Sequence, residues 1–143
     1  MTLAILLVED NPADVRLVRE ALAEGGVPAR LHWMPSGETA LGFLRREGDR
    51  AASPRPDLVL LDLNGPGLHG LEVLAAIKRD PDLLSIPVVV LTSSAARADV
   101  LAAYAAHANS YVVKPDDYEQ FLALVASLCS YWLTAVMPPG LAL

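Results

Sequence analysis

The stretch Asp57-Leu-Val-Leu-Leu-Asp-Leu-Asn64 decides the fold of this chain. Four apolar residues, Leu58 to Leu61, run without interruption into a single carboxylate, Asp62. An apolar run this short predicts a strand that is buried on both faces, as strands are inside a parallel sheet. The chemically accessible part of such a strand is its carboxyl end. Because Asp62 lies there, we expect it to be a functional residue whose surroundings the rest of the chain builds.

Apolar runs and amphipathic stretches alternate along the whole chain. Strands are predicted over 2–8, 29–34, 58–61, 86–91 and 110–113, and helices over about 12–24, 37–48, 71–79, 96–107 and 116–136. This alternation predicts an α/β fold, a doubly wound five-stranded parallel sheet with helices on both faces and right-handed crossovers. We expect the flavodoxin-like strand order 2-1-3-4-5 and a long C-terminal helix, with one domain over residues 1–137 and a short tail over 138–143.

The composition narrows the class of function. The chain has 143 residues, 53% of them hydrophobic, a formal net charge of -6 and a pI of about 4.9. This argues against a nucleic-acid partner, since phosphate contacts need clustered Lys and Arg and the only adjacent basic residues are the pairs Arg45-Arg46 and Lys78-Arg79. The uncharged segment 121–137 is short, contains Ser and Thr and lacks basic anchors, so we predict no membrane span. Cys129, the single cysteine, fits a reducing cytoplasm.

Polar side chains follow four of the five predicted strands at their carboxyl ends: Glu9, Asp10, Asp62, Thr92, Ser93 and Lys114. In open α/β sheets the ligand crevice lies outside these ends, where the strand order reverses. Two carboxylates about 4 Å apart repel by ~4 kcal/mol at an effective dielectric near 20, so pKa values rise or a cation compensates. An all-oxygen site of this charge suits Mg²⁺. The set favours phosphoryl transfer to a carboxylate nucleophile, Asp62.

Each of these residues by itself also has an ordinary explanation. Glu9-Asp10 could be a solvated pair at a strand end, Asp62 a turn cap and Lys114 a surface cation. However, the chain has two lysines among 11 basic residues, so a lysine at position 114 is less expected than an arginine. The joint placement of all four residues at strand ends favours one site.

Four segments together resemble a response-regulator receiver domain over nearly the whole chain. They are residues 5–12 (ILLVEDNP), 57–70 (DLVLLDLNGPGLHG), 87–93 (PVVVLTS) and 111–115 (YVVKP). The resemblance implies that Asp62 accepts a phosphoryl group from a histidine kinase. It implies that Mg²⁺ is bound by the side chains of Asp10 and Asp62 and the backbone carbonyl of Asn64, with Glu9 assisting through water.

The resemblance implies further roles at the ends of strands four and five. Thr92 and Lys114 would bind the phosphoryl oxygens, and Tyr111 would be the switch aromatic whose rotamer reports the movement of Thr92. It also implies a cis Lys114–Pro115 bond. In such a protein the phosphoacceptor is a signalling residue rather than the centre of an enzyme, although the domain promotes its own phosphotransfer and dephosphorylation.

The end of the chain is similar to the small regulators that accompany bacterial phytochrome kinases. The similar parts are residues 109–115 (NSYVVKP) and 130–134 (SYWLT) before Pro138-Pro139. We therefore expect a stand-alone cytoplasmic regulator whose partner is a phytochrome-type histidine kinase. On helix five we expect one stripe to face the sheet: Tyr118, Phe121, Val125, Leu128 and Trp132. A second apolar stripe, with Leu124, Tyr131 and Ala135, predicts a homodimer through this helix.

Two residues depart from the family pattern, and other functions stay open. His69 stands where Asp is common and Gly65 where a bulky apolar residue is usual, which affects the expected lifetime of the acyl phosphate. His32, His69 and His107 share no ligand spacing, so we assign them no metal role. The alternatives are a phosphorelay intermediate that passes phosphate to another histidine, a flavodoxin-like binding module without phosphorylation, and an Asp-nucleophile phosphatase.

Overall fold

The sheet has five parallel strands, and helices cover both of its faces. The computed structural model of the protein describes residues 2–64 and 68–137. The strands are β1 (Leu3–Val8), β2 (Ala29–Met34), β3 (Leu58–Leu61), β4 (Val88–Thr92) and β5 (Ser110–Val113), and the helices are α1 (Pro12–Glu24), α2 (Gly37–Leu44), α3 (Gly70–Arg79), α4 (Arg97–Ala105) and α5 (Tyr118–Thr134). The order β2-β1-β3-β4-β5 confirms the predicted fold.

The central strand β3 is buried along its whole length. It pairs with β1 on one side and β4 on the other, with Val8 opposite Leu61 and Leu61 opposite Val90. Each of its four residues is 0% exposed. Two apolar clusters, one on each face of the sheet, enclose it. Because side chains on both faces are apolar, polar chemistry is confined to the carboxyl end of the strand.

Local sequence signals start the helices that follow the strands. The side chain of Asn11 accepts a hydrogen bond from the backbone N–H of Ala13, and Pro12 occupies the first turn of α1. Ser36 and Thr39 form a capping box at α2. The carboxylate of Asp117 accepts from the N–H of Gln120 at α5. These caps fix where the chain turns away from the functional edge of the sheet.

Helix α5 is rotated relative to the prediction. Phe121 and Val125 are buried as expected, but Leu122 and Cys129 are buried with them. Tyr118 is 45% exposed, so its predicted contact with the sheet is wrong. Its hydroxyl instead donates a hydrogen bond to Glu20 on α1, because the first turn of α5 lies over α1 rather than over the sheet. In the described part of the chain, no helix is long and apolar enough to cross a membrane.

The ammonium of Lys78 ties three elements together at the amino-terminal edge of the sheet. It donates to the carbonyls of Leu84 (3.0 Å) and Ile86 (2.8 Å) and to the side-chain oxygen of Asn109 (3.1 Å). The same Asn109 oxygen accepts from the N–H of Val88 at 2.8 Å. The end of α3 and the starts of β4 and β5 are thereby joined through one cation.

Gly70 allows α3 to start directly against the strand that ends at Asp62. A Cβ at position 70 would lie 2.5 Å from the Cα of Leu63 and 2.6 Å from the carbonyl oxygen of Asp62. We expect Gly70→Ala to lower the free energy of unfolding by about 2 kcal/mol or more, because backbone atoms would have to move. Urea unfolding measures this change.

A matched control is Gly42→Ala inside α2, where the nearest atom to an added Cβ is Glu47 Oε1 at 3.7 Å. This substitution should raise the free energy of unfolding by about 0.5–1 kcal/mol, since alanine is the better helix former. Equal effects of the two substitutions would contradict the close approach at Gly70.

Candidate functional site

Three carboxylates meet at the carboxyl ends of β1 and β3. Glu9 and Asp10 follow β1, Asp62 follows β3, and the two strands are hydrogen-bonded neighbours. One potential ligand oxygen from each residue lies within 4.8 Å of the others. Glu9 is buried and Asp10 is exposed. The structure therefore brings together the acidic residues that the sequence placed at this edge.

The ammonium of Lys114, directly after β5, lies among carboxylates. Its Nζ is 2.5 Å from Glu9 Oε1, 2.9 Å from Asp62 Oδ2 and 2.8 Å from Asp14 Oδ2. Every ion pair within residues 2–64 and 68–137 involves this one lysine. The Lys114 side chain is 7% exposed, so these contacts are poorly screened by solvent.

The sequence did not indicate Asp14 as a site residue. It lies in the first turn of α1, four residues after Asp10, and its carboxylate reaches Lys114. The sequence feature that could have indicated Asp14 is its spacing of four residues from Asp10, across the helix start at Asn11-Pro12.

Burial and Lys114 act in opposite directions on the site carboxylates. Burial raises the pKa of Glu9 to about 7, although the hydrogen bond and the charge of Lys114 lower it. Burial also disfavours the ionised form of Asp62, but the Lys114 ammonium and the N–H of Asn64 outweigh it and hold the pKa below its usual value. Burial opposes ionisation of Lys114 as well, yet the surrounding carboxylates raise its pKa. Asp62 and Lys114 are thus charged at neutral pH, whereas Glu9 titrates near it.

The buried Thr92 and the exposed Asn64 complete the site. Thr92 ends β4, is 0% exposed, and its hydroxyl oxygen is 3.4 Å from the side-chain nitrogen of Asn64. The N–H of Asn64 donates to Asp62 Oδ1 at 3.1 Å. The N–H of Lys114 donates to the carbonyl of Thr92 at 2.8 Å, which fixes the lysine beside β4. Ser93, the next residue, is exposed.

Tyr111 on β5 is connected to the loop that follows Thr92. Its hydroxyl donates to the carbonyl of Ser94 at 2.8 Å, and its backbone N–H donates to the hydroxyl of Tyr104 at 3.1 Å. The hydroxyl of Ser94 in turn donates to Asp99 Oδ2 at 2.6 Å in the first turn of α4. The predicted switch aromatic is therefore linked to the start of α4.

Three further sequence predictions concern His69, the Lys114–Pro115 bond and Gly65. His69 caps α3, since its Nδ1 accepts from the N–H of Leu71 at 3.1 Å, so it takes the capping place of the Asp that is common there. The predicted cis Lys114–Pro115 bond is wrong: the bond is trans, the isomer that X–Pro bonds prefer by about 0.5–1 kcal/mol. Gly65 lies outside the described residues.

The site fits a small hard cation. A pocket of about 20 Å³ is lined by Glu9, Asp10, Asp62 and Asn64, together with Ser36 and apolar residues of β1, β3, α2, α3 and the adjoining loops. This volume holds about one ion or water molecule. The donors are carboxylate and amide oxygens, which Mg²⁺ prefers, and the set contains no sulfur or imidazole. The acidic edge would repel a free phosphate group unless such a cation were present.

Comparison with known proteins identifies relatives that match nearly the whole chain. Residues 5–126 match the response regulator receiver domain family. Response regulator Rcp1 of Synechocystis is 46% identical over 136 residues, covering 95% of this chain and 92% of Rcp1. Its Mn²⁺-bound structure superimposes with a TM-score of 0.90, covering 95% of this chain and 98% of that one.

Two further relatives differ in their biological setting. The structure of the phosphorylated cyanobacterial phytochrome response regulator RcpA is 44% identical with a TM-score of 0.93, covering 97% of this chain and 99% of that one. A probable methanogenesis regulatory protein, FilR2 of Methanothrix harundinacea, is 44% identical over 137 residues, covering 95% of this chain and 87% of FilR2.

The raised pKa of Glu9 predicts a pH dependence of stability in EDTA. Folded Glu9 holds a proton up to about pH 7, whereas the unfolded side chain releases it near 4.5. The folded state therefore binds more protons between these values, and the free energy of unfolding should fall as pH rises through them, by at most about 3 kcal/mol.

Urea unfolding of the wild type and of Glu9→Gln between pH 4 and 8 isolates this contribution by difference. Asp62, whose pKa is lowered from 3.8, affects stability in the opposite sense and only at lower pH, so it does not mask the trend. A difference curve that is flat or rises with pH would contradict the raised pKa.

Proposed function

Because the chain belongs to the response regulator receiver domain family, we propose that it accepts a phosphoryl group from a histidine kinase on Asp62. The single observation that supports this most strongly is the cluster of Glu9, Asp10 and Asp62 around one cavity, with Lys114 in contact with two of them. No other carboxylate among the described residues combines a strand end, a lysine contact and a neighbouring buried threonine.

The proposed reaction transfers the group from nitrogen to oxygen. A carboxylate oxygen of Asp62 attacks the phosphorus of a phosphohistidine, the P–N bond breaks, and the imidazole of the kinase leaves with its electron pair. The lowered pKa of Asp62 keeps this nucleophile ionised at neutral pH. Lys114, whose pKa is raised, stays positively charged and can bind a phosphoryl oxygen.

Mg²⁺ is the proposed cofactor. The side chains of Asp10 and Asp62 and the backbone carbonyl of Asn64 would hold it, with Glu9 assisting through water. When bound, it neutralises charge that develops on the phosphoryl oxygens. The Mn²⁺-bound form of Rcp1, which is 46% identical, supports a divalent ion here.

Thr92 and Tyr111 are the proposed switch. The Thr92 hydroxyl would turn toward a phosphoryl oxygen on Asp62, since it already lies within 3.4 Å of Asn64 beside that residue. Movement of the following loop would then act on Tyr111, whose hydroxyl is bound to the carbonyl of Ser94. Phosphorylation would thereby change the surface formed by α4 and β5.

Acetyl phosphate tests the acceptor directly. We expect incubation with acetyl phosphate and Mg²⁺ to add one phosphoryl group to the wild type, as seen by intact mass, and none in EDTA. Asp62→Asn should abolish the adduct, because the amide is not a nucleophile.

The matched control is Asp57→Asn at the opposite end of β3. The carboxylate of Asp57 accepts from the N–H of Ala4 at 2.9 Å, far from the cluster, and asparagine keeps an acceptor oxygen. Asp57→Asn should be phosphorylated like the wild type. An adduct on Asp62→Asn, or its absence from the wild type, would refute Asp62 as the acceptor.

A phytochrome-type histidine kinase is the proposed phosphoryl donor. Support comes from Rcp1 and from the phytochrome response regulator RcpA, at 46% and 44% identity. The similar identity of FilR2, described as a probable methanogenesis regulatory protein, makes a different sensor kinase the competing donor. Phosphotransfer rates from kinases of both kinds, measured side by side at low donor concentration, should favour the phytochrome kinase; preference for the other would refute this pairing.

The end of α5 is the proposed dimer surface. Tyr131 is 57% exposed and Met137 70% exposed, and Trp132 meets the Tyr131 ring edge-on. Exposed aromatic and methionine side chains are enriched in protein interfaces.

Light scattering after gel filtration should therefore show a dimer for the wild type. Tyr131→Glu should weaken it at least tenfold by placing a charge in an apolar contact. Ala52→Glu, at an exposed position in the loop between α2 and β3, is the control and should remain dimeric. A monomeric wild type, or equal behaviour of both variants, would exclude this surface.

The same residues are proposed to promote loss of the phosphoryl group. Water attack on the acyl phosphate also develops negative charge on oxygens that Lys114 and the metal ion would stabilise. Release of inorganic phosphate in the presence of Mg²⁺ should therefore be faster than after the addition of EDTA to the phosphorylated protein.

A further inference from the structure

Trp33 connects the edge strand β2 to the acidic cluster. It lies next to the last residue of β2, opposite Leu7 of β1. Its indole N–H donates a hydrogen bond to the backbone carbonyl of Glu9 at 2.6 Å. Trp33 is 36% exposed, so it is not a fully packed core residue. The contact therefore joins a partly solvated aromatic side chain to the peptide that leads into the site.

The carbonyl that Trp33 binds belongs to the peptide between Glu9 and Asp10. The N–H of Glu9 donates to the carbonyl of Met34 at 3.1 Å, so both peptide groups of Glu9 are held by residues of β2. β1 ends at Val8, and α1 begins only at Pro12. The Trp33 bond therefore extends the constraint of the sheet by one peptide group beyond the strand.

Asp10 depends on this constraint more than its neighbours do. Glu9 and Asp62 are fixed through their side chains by Lys114. Within the described residues, no hydrogen bond or ion pair reaches the carboxylate of Asp10, which is exposed. The position of this carboxylate is therefore restrained only through its backbone, and the Trp33 bond to the Glu9 carbonyl is the restraint on the β1 side.

We infer that Trp33 is a positioning residue for the divalent cation, acting through the Glu9–Asp10 peptide. The inference rests on the proposed function, because it takes the acidic cluster as the Mg²⁺ site. Trp33 touches neither the ion nor the phosphoryl group. It reduces the number of orientations in which the Asp10 carboxylate points away from the other two, so that less freedom is lost when the cation binds.

The substitution Trp33→Phe distinguishes this positioning role from a packing role. Trp33→Phe keeps an aromatic ring on β2 but removes the N–H donor. The Glu9 carbonyl can then bind water, since the site is partly exposed, and the fold should persist. Outer-shell partners of metal sites typically change affinity by about 10–100-fold. Because Trp33 acts on the backbone rather than on a ligand atom, we expect about three- to tenfold weaker Mg²⁺ binding.

The experiment measures Mg²⁺ binding by titration calorimetry on the metal-free wild type, Trp33→Phe and Trp132→Phe. Trp132, on α5 and distant in sequence from the cluster, gives the matched loss of an indole. Weaker binding in Trp33→Phe alone is the expected result. Phosphorylation by acetyl phosphate should need correspondingly more Mg²⁺ in that variant, while the rate at saturating Mg²⁺ stays within about twofold of the wild type.

The outcomes separate the two proposals. No Mg²⁺ binding by the wild type would overturn the metal site and this inference together. Normal binding by Trp33→Phe beside normal wild-type binding would overturn this inference alone. A lower saturating rate with unchanged Mg²⁺ dependence would also overturn it, because that pattern indicates general structural damage.

A second measurement does not depend on the folding of Trp33→Phe. In Trp132→Phe the only indole is that of Trp33, so its N–H gives a single side-chain indole resonance in a nitrogen–proton correlation spectrum. We expect Mg²⁺ to shift this resonance with the affinity measured by calorimetry, because the ion binds next to the peptide that accepts the hydrogen bond. An unshifted resonance at saturating Mg²⁺ would contradict the coupling.

Discussion

The structure depends on one buried ammonium. Lys114 balances the charges of Glu9, Asp14 and Asp62, which come from β1, α1 and β3 and could not otherwise share one poorly solvated space. Without it, the carboxylates would have to take up protons or separate, since each pair of like charges costs several kcal/mol at this distance. Even so, the charge of Lys114 does not offset the effect of burial on Glu9, whose pKa rises to about 7. The negative charge that remains at this edge of the sheet fits a divalent cation.

The apolar strand β3 explains why the chemistry is located where it is. All four of its residues are enclosed, so Asp62 is the first position at which a polar group can be tolerated. The neighbouring strands end at the same edge because they are parallel and in register with it. Residues separated by 105 positions, Glu9 and Lys114, therefore meet without any long loop to carry them. The placement of the acids is a consequence of sheet geometry rather than of local sequence.

Much of this arrangement could be predicted because it depends on periodicity and on strand ends. The bounds of β2 and β5, the cap at Asn11 and the grouping of Asp62 with Glu9 and Asp10 all follow from such local signals. Asp14 and Trp33 were not assigned to the site, because their contacts depend on how the elements pack. The first turn of α1 brings Asp14 to Lys114, and the pairing of β2 with β1 brings Trp33 to Glu9. Tyr118 was placed on the wrong face, since helical spacing alone does not say that α1 lies under the first turn of α5.

The chain contains two lysines, and both lie at junctions inside the fold. Lys78 is surrounded by three oxygen acceptors at one edge of the sheet, and Lys114 by three carboxylates at the other. Arginines supply the other nine of the 11 basic residues. Both side-chain amines in the described residues are occupied by hydrogen bonds, so neither is freely solvated. We therefore expect slow reaction with acylating reagents, cross-linkers and lysine-modifying enzymes. Reaction at either amine would report loosening of the sheet at that edge.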